Sequence, residues 1–68
     1  MTFGERLKEL REEKGLTHKQ LAQALNNKVS AAAIGHWELG KRVPNMDAVI
    51  LLARYFNVSL EYICGLED

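Results

Sequence analysis

The chain has 68 residues, with 47% hydrophobic and 26% charged side chains and a formal net charge of zero. That length suits one domain with a limited core. Its single cysteine, Cys64, excludes an internal disulfide and falls short of the roughly four ligands of a structural zinc site. No apolar run approaches the ~20 residues of a membrane span, and Glu5 and Glu9 interrupt any signal-like stretch at the start.

Five helices are expected, in an all-α fold. Thr2 and Glu5 stand in the T-x-x-E spacing of a capping box, and Phe3, Leu7 and Leu10 recur at helical spacing. Gly15 supplies a stop, so the first helix covers about 3–14. Its dense charges read as a solvated face. Thr17 and Gln20 repeat the box, and Leu21, Ala22 and Leu25 give a second helix over about 18–25. Asn26-Asn27-Lys28 is a polar turn. Ser30 caps a third helix over about 31–39, in which Ile34 and Trp37 mark the buried face and Gly40 ends it. Lys41-Arg42-Val43-Pro44 is a loop, because Pro44 lacks an amide hydrogen and drives Val43 away from helix. Asn45 caps a broad apolar helix over about 46–56, with Asn57 as a left-handed stop. Ser59 caps a last short helix over about 60–64, ended by Gly65. Period-two alternation is absent over any useful length.

Charge is segregated along this order. Residues 15–44 carry Lys19, Lys28, Lys41 and Arg42 against Glu38 alone, while residues 45–68 are acidic in balance. A positive segment therefore sits inside a neutral chain. It contains two short helices joined by a tight turn, the second opening on small residues and anchored through Ile34 and Trp37. A helix held by one face, with the other face and its N-terminal end free, fits the major groove, about 12 Å wide. Thr17 and Ser30 at the two helix starts, with Lys41 and Arg42 after the second, could bracket a duplex backbone.

The run Leu16-Thr17-His18-Lys19-Gln20-Leu21-Ala22, then Ser30 through Ile34, then Trp37-Glu38-Leu39-Gly40-Lys41-Arg42-Val43-Pro44 and Phe56-Asn57-Val58-Ser59-Leu60, resembles the lambda-repressor-like helix-turn-helix family, the Cro and phage-repressor type. The resemblance covers about residues 3–65. It implies a compact five-helix DNA-binding domain, usually dimeric on a pseudo-palindromic operator. It implies phosphate contacts from Thr17 and His18 and from Lys41 and Arg42, and base-facing positions at Ser30, Ala31, Ala32 and His36. It further implies that Arg11 pairs with Glu38. Two departures stand out. The turn at Asn26-Asn27-Lys28 is longer than the family's usual spacing by two residues, which places Lys28 as an added phosphate contact. The family often has glutamine where His18 stands here, and also at two alanines, Ala31 and Ala32. They offer a base only methyl contact, so sequence preference leans on DNA shape.

The expectation is a single domain over 1–68, cytoplasmic, dimeric, and repressing by occupancy of promoter DNA; Phe56, Val58, Tyr62, Ile63 and Leu66 read as core, or some of them as a dimer seam. No cofactor, small-molecule substrate or membrane partner is called for. Cys64 lacks an adjacent base and reads as a half-buried structural thiol, and no nucleophile–base pair suggests an enzyme. The rival reading is an antitoxin or protein-interaction module on the same fold, with weak or absent DNA binding.

Overall fold

The computed structural model describes residues 1–67 and contains five α-helices: α1 Phe3–Glu13, α2 His18–Ala24, α3 Ala31–Glu38, α4 Met46–Phe56 and α5 Leu60–Ile63. Each begins where a side chain can satisfy an orphan backbone amide. Thr2 and Thr17 close full capping boxes, with Glu5 and Gln20 answering their backbone amides at 2.9 Å. Ser30, Asn45 and Ser59 accept from Ala33, Ala48 and Tyr62 at 3.0, 2.8 and 3.0 Å.

The ends are equally local. After α1, α3 and α5 the backbone enters the left-handed region at Gly15, Gly40 and Gly65. After α2 and α4 it does so at Asn26 and Asn57, each with φ of 57°. At all five ends the next amide reaches back five residues to close the last turn, as Asn27 does to the Ala22 carbonyl at 2.9 Å. Helices α1, α2, α3 and α5 stop one residue before the sequence expectation, because the residue expected to be last is the C-cap.

These helices enclose one core. Leu7 and Leu10 of α1 meet Leu21, Ala22 and Leu25 of α2, Ile34 and Trp37 of α3, Val49, Leu52 and Phe56 of α4, and Ile63 of α5. Helix α3 packs between α1 and α2, whereas α4 packs with α5 and α5 returns to α1. The start of α1 lies against the end of α3: a Cβ on Gly4 would stand 2.3 Å from the Trp37 carbonyl oxygen. Only a residue without a side chain permits that approach.

One expectation is corrected. The charged residues of α1 are not all solvated, because Arg6 is buried as well as Arg11 of the expected pair. The Arg6 guanidinium lies 3.8 Å from the Tyr62 ring centroid, and its Nη2 donates to the Glu67 carbonyl at 3.3 Å, tying α1 to the end of the chain. Of the five residues read as core or dimer seam, Phe56 and Ile63 belong to the core. Val58 and Tyr62 are half-buried, and Leu66 is exposed. Cys64 is free and half-buried, as expected.

Candidate nucleic-acid interface

The site begins with the turn that aims α3. Asn26 and Asn27 both adopt φ of 57°, a conformation that asparagine tolerates better than most side chains. The two left-handed residues absorb the extra length of the turn, and the Lys28 amide still reaches the Leu25 carbonyl at 3.2 Å. Val29 then tucks halfway into the core and Ser30 caps α3. The longer turn thus closes without loosening either helix.

Along α3 the faces separate cleanly. Ile34 and Trp37 are buried, which fixes the helix from below. Ala32 and His36, four residues apart and so on one face, are exposed. Ser30 is exposed beside them. Ala31 differs from expectation: it is half-buried against the core, leaving Ala32 as the open alanine of the pair. Trp37 forms a wall of an open groove of about 510 Å³ between α3 and α4, with Val29, Ala33, Ile50 and Leu51. Past the helix, Gly40 turns the chain and the Lys41 amide closes on the His36 carbonyl at 2.9 Å. Leu39, Lys41, Arg42 and Val43 are then all exposed.

A charged triad joins α1, α2 and α3. Arg11 donates from Nε to Glu38 Oε2 at 2.7 Å and from Nη2 to Oε1 at 3.0 Å, a two-pronged pair. Its Nη1 donates to the Leu16 carbonyl at 2.7 Å, so the same side chain ties α1 to the segment entering α2. The Arg11 and Glu38 side chains are 11% and 5% exposed. Burial pushes the Glu38 carboxyl up, but hydrogen bonds from Arg11 and His18, with their charges, outweigh it and hold the group below its ordinary value. The hydrogen bond to Glu38 raises Arg11 in turn.

The sequence residues thus come together in part. Thr17, Ser30, Lys28, Lys41 and Arg42 are exposed around α3, and among the described residues none of these three cations is ion-paired. Arg11 and Glu38 meet as the resemblance implied. His18 makes a contact that was not foreseen: its Nε2 is 3.0 Å from Glu38 Oε1, so it joins the triad while its side chain stays 43% exposed. Nothing in the local sequence signals that contact, which pairs residues twenty apart.

Two capped helices joined by a tight turn, the second held by its inner face, define a helix-turn-helix. A model of the helix-turn-helix family matches residues 7–63, and the chain belongs to that family, in its Cro and phage-repressor type. It is similar to the HTH-type transcriptional activator BcrR of Enterococcus faecalis, with 40% identity over 68 residues, all of this chain and 32% of that protein. It is also similar to two proteins of Bacillus subtilis (strain 168). The HTH-type transcriptional regulator ImmR is 34% identical over 68 residues, all of this chain and 52% of that protein. The uncharacterized HTH-type transcriptional regulator YobD is 36% identical over 66 residues, 97% of this chain and 57% of that protein. The chain therefore spans from 32% to 57% of the length of these relatives. Among the described residues, no helix is long and apolar enough to cross a membrane.

Proposed function

We propose that the chain is the duplex-DNA-binding part of a transcriptional regulator, with α3 in the major groove. The observation that carries this reading is electrostatic. Glu38 is the one acid between residues 15 and 44, and it is withdrawn into a buried pair with Arg11. Lys19, Lys28, Lys41 and Arg42 remain exposed, so the exposed charge of residues 15–44 is positive although the chain as a whole is neutral.

Each residue then takes a role. Lys28 from the turn and Lys41 and Arg42 from the following loop contact phosphates on either side of the groove, and Thr17 offers its hydroxyl hydrogen to the backbone. His36 reaches a purine edge, where an imidazole N–H suits guanine N7 or O6, and Ala32 meets a thymine methyl. Ser30 stands at the edge of this surface. So few direct contacts leave part of the selectivity to DNA shape. Two copies on a pseudo-palindromic site, about 34 Å between half-site centres, supply the affinity that one small module lacks. Occupancy of a promoter then represses. The activator named among the relatives makes activation the opposite outcome of the same binding.

The test is fluorescence anisotropy of duplex from the gene's upstream region against mixed-sequence duplex, across a salt series. If each copy of a dimer neutralises phosphates through Lys28, Lys41 and Arg42, log K falls with log salt at a slope of about −5. Preference for the upstream duplex with that slope supports the reading. Absence of binding at low salt, or a slope near zero, refutes it.

A further inference from the structure

We propose that His18 grips the DNA backbone only as the doubly protonated imidazolium, with Nε2 held by Glu38, so that DNA binding takes up a proton at this residue. This rests on the DNA-binding reading above and adds to it a dependence on pH.

The argument is one of donor polarity. Glu38 is held ionised by its pair with Arg11, and an ionised carboxylate only accepts hydrogen bonds. At 3.0 Å from Oε1, His18 Nε2 must therefore carry the hydrogen. A neutral imidazole has one N–H, so with Nε2 protonated its Nδ1 presents a lone pair. A phosphate oxygen is likewise an acceptor, and lone pair faces lone pair. A second proton turns Nδ1 into a donor and adds the charge that a phosphate favours, without disturbing the bond to Glu38. Among the described residues nothing hydrogen-bonds Nδ1, and the side chain is 43% exposed at the start of the helix that precedes α3.

The surroundings permit this charge. The groups facing the ring are Glu38 from α3 and, across that carboxylate, Arg11 from α1; Lys19, its neighbour on α2, is exposed. Among the described residues no charged group of α4 or α5 forms an ion pair with the ring. The Glu38 charge is shared between two cations, and an incoming phosphate supplies the negative charge that a third party would have to provide. Arg11 and Glu38 are positioning residues here, since they fix which ring nitrogen faces outward.

The experiment is anisotropy with a mixed-sequence duplex at constant ionic strength across pH, because a phosphate contact needs no particular base sequence. The wild type is compared with His18→Gln and His36→Gln. Glutamine has two amide hydrogens, so it can bond Glu38 and a phosphate at any pH. Wild-type affinity falls with rising pH, by up to about tenfold per unit for each protomer that takes up a proton. His36→Gln keeps that fall. His18→Gln still binds and loses it. Calorimetry in buffers of different ionisation enthalpy reads the same proton directly, as uptake on binding in the wild type and none in His18→Gln. Binding that is independent of pH, or a fall that survives His18→Gln, overturns the proposal and leaves the DNA-binding reading intact. Absence of binding in all three proteins at low salt and low pH overturns both.

Discussion

Glu38→Gln is the perturbation whose size the structure best constrains. The substitution keeps the shape of the side chain and one acceptor oxygen but removes the charge that faces Arg11. In the folded protein the Arg11 side chain is 11% exposed and makes two of its three hydrogen bonds to Glu38, at 2.7 and 3.0 Å. Removing one partner of a buried ion pair costs about 3–5 kcal/mol, since the surviving charge stays buried without compensation. The retained amide oxygen argues for the lower end, about 3 kcal/mol. For a domain of this size each kcal/mol moves Tm by about 4–8 °C, so the variant should melt roughly 12–24 °C lower at neutral pH. Circular-dichroism melts are the assay. The pH dependence supplies a second check. Glu38 titrates below its ordinary value of 4.5 when folded, so its contribution is present above that pH and is lost as pH falls through the folded value. The gap between wild type and Glu38→Gln should therefore narrow in acid. A loss below about 1 kcal/mol at neutral pH, within the span of an exposed pair, refutes the burial argument.

The other expected outcomes concern packing and the DNA-facing surface. Gly4→Ala places a methyl 2.3 Å from the Trp37 carbonyl, and a backbone atom cannot step aside, so it should destabilise by about 1–3 kcal/mol in a denaturant titration. An unchanged midpoint would show that α1 and α3 can separate there. Trp37→Ala should cost about 3–5 kcal/mol as the loss of a buried aromatic, read in the same titration. Lys41→Ala and Arg42→Ala should each weaken binding to all duplexes alike and make the salt slope shallower by about 1 per protomer, with melting temperature unmoved. His36→Ala should narrow the gap between preferred and mixed-sequence duplex by about 1–3 kcal/mol, and equal losses on both count against a base contact.

Much of this protein is written locally. Thr2, Thr17, Ser30, Asn45 and Ser59 start the five helices because a cap needs only a side-chain oxygen three residues from an open amide. Gly15, Gly40 and Gly65 end three of them because the left-handed turn needs only a tolerant residue. Ile34 and Trp37 were legible as the inner face of α3 from their spacing, whereas Ala32 and His36 were assigned to the outer face through the family resemblance. Arg11 and Glu38 came only through family resemblance, since twenty-seven residues separate them and no local rule joins them.

What the tertiary structure decided are the contacts between distant segments. The burial of Arg6 under Tyr62, the close approach that only Gly4 allows and the half-burial of Ala31 all depend on how helices meet. The place of His18 is the clearest case. In sequence it is a polar residue at the start of a helix, equally suited to solvent or a phosphate. In the fold it stands beside the Glu38 carboxylate, which fixes the nitrogen that holds its hydrogen. Capping and periodicity act within a few residues along the chain and can be read there. Charge pairing and steric approach act through space, and only the packed helices define those distances.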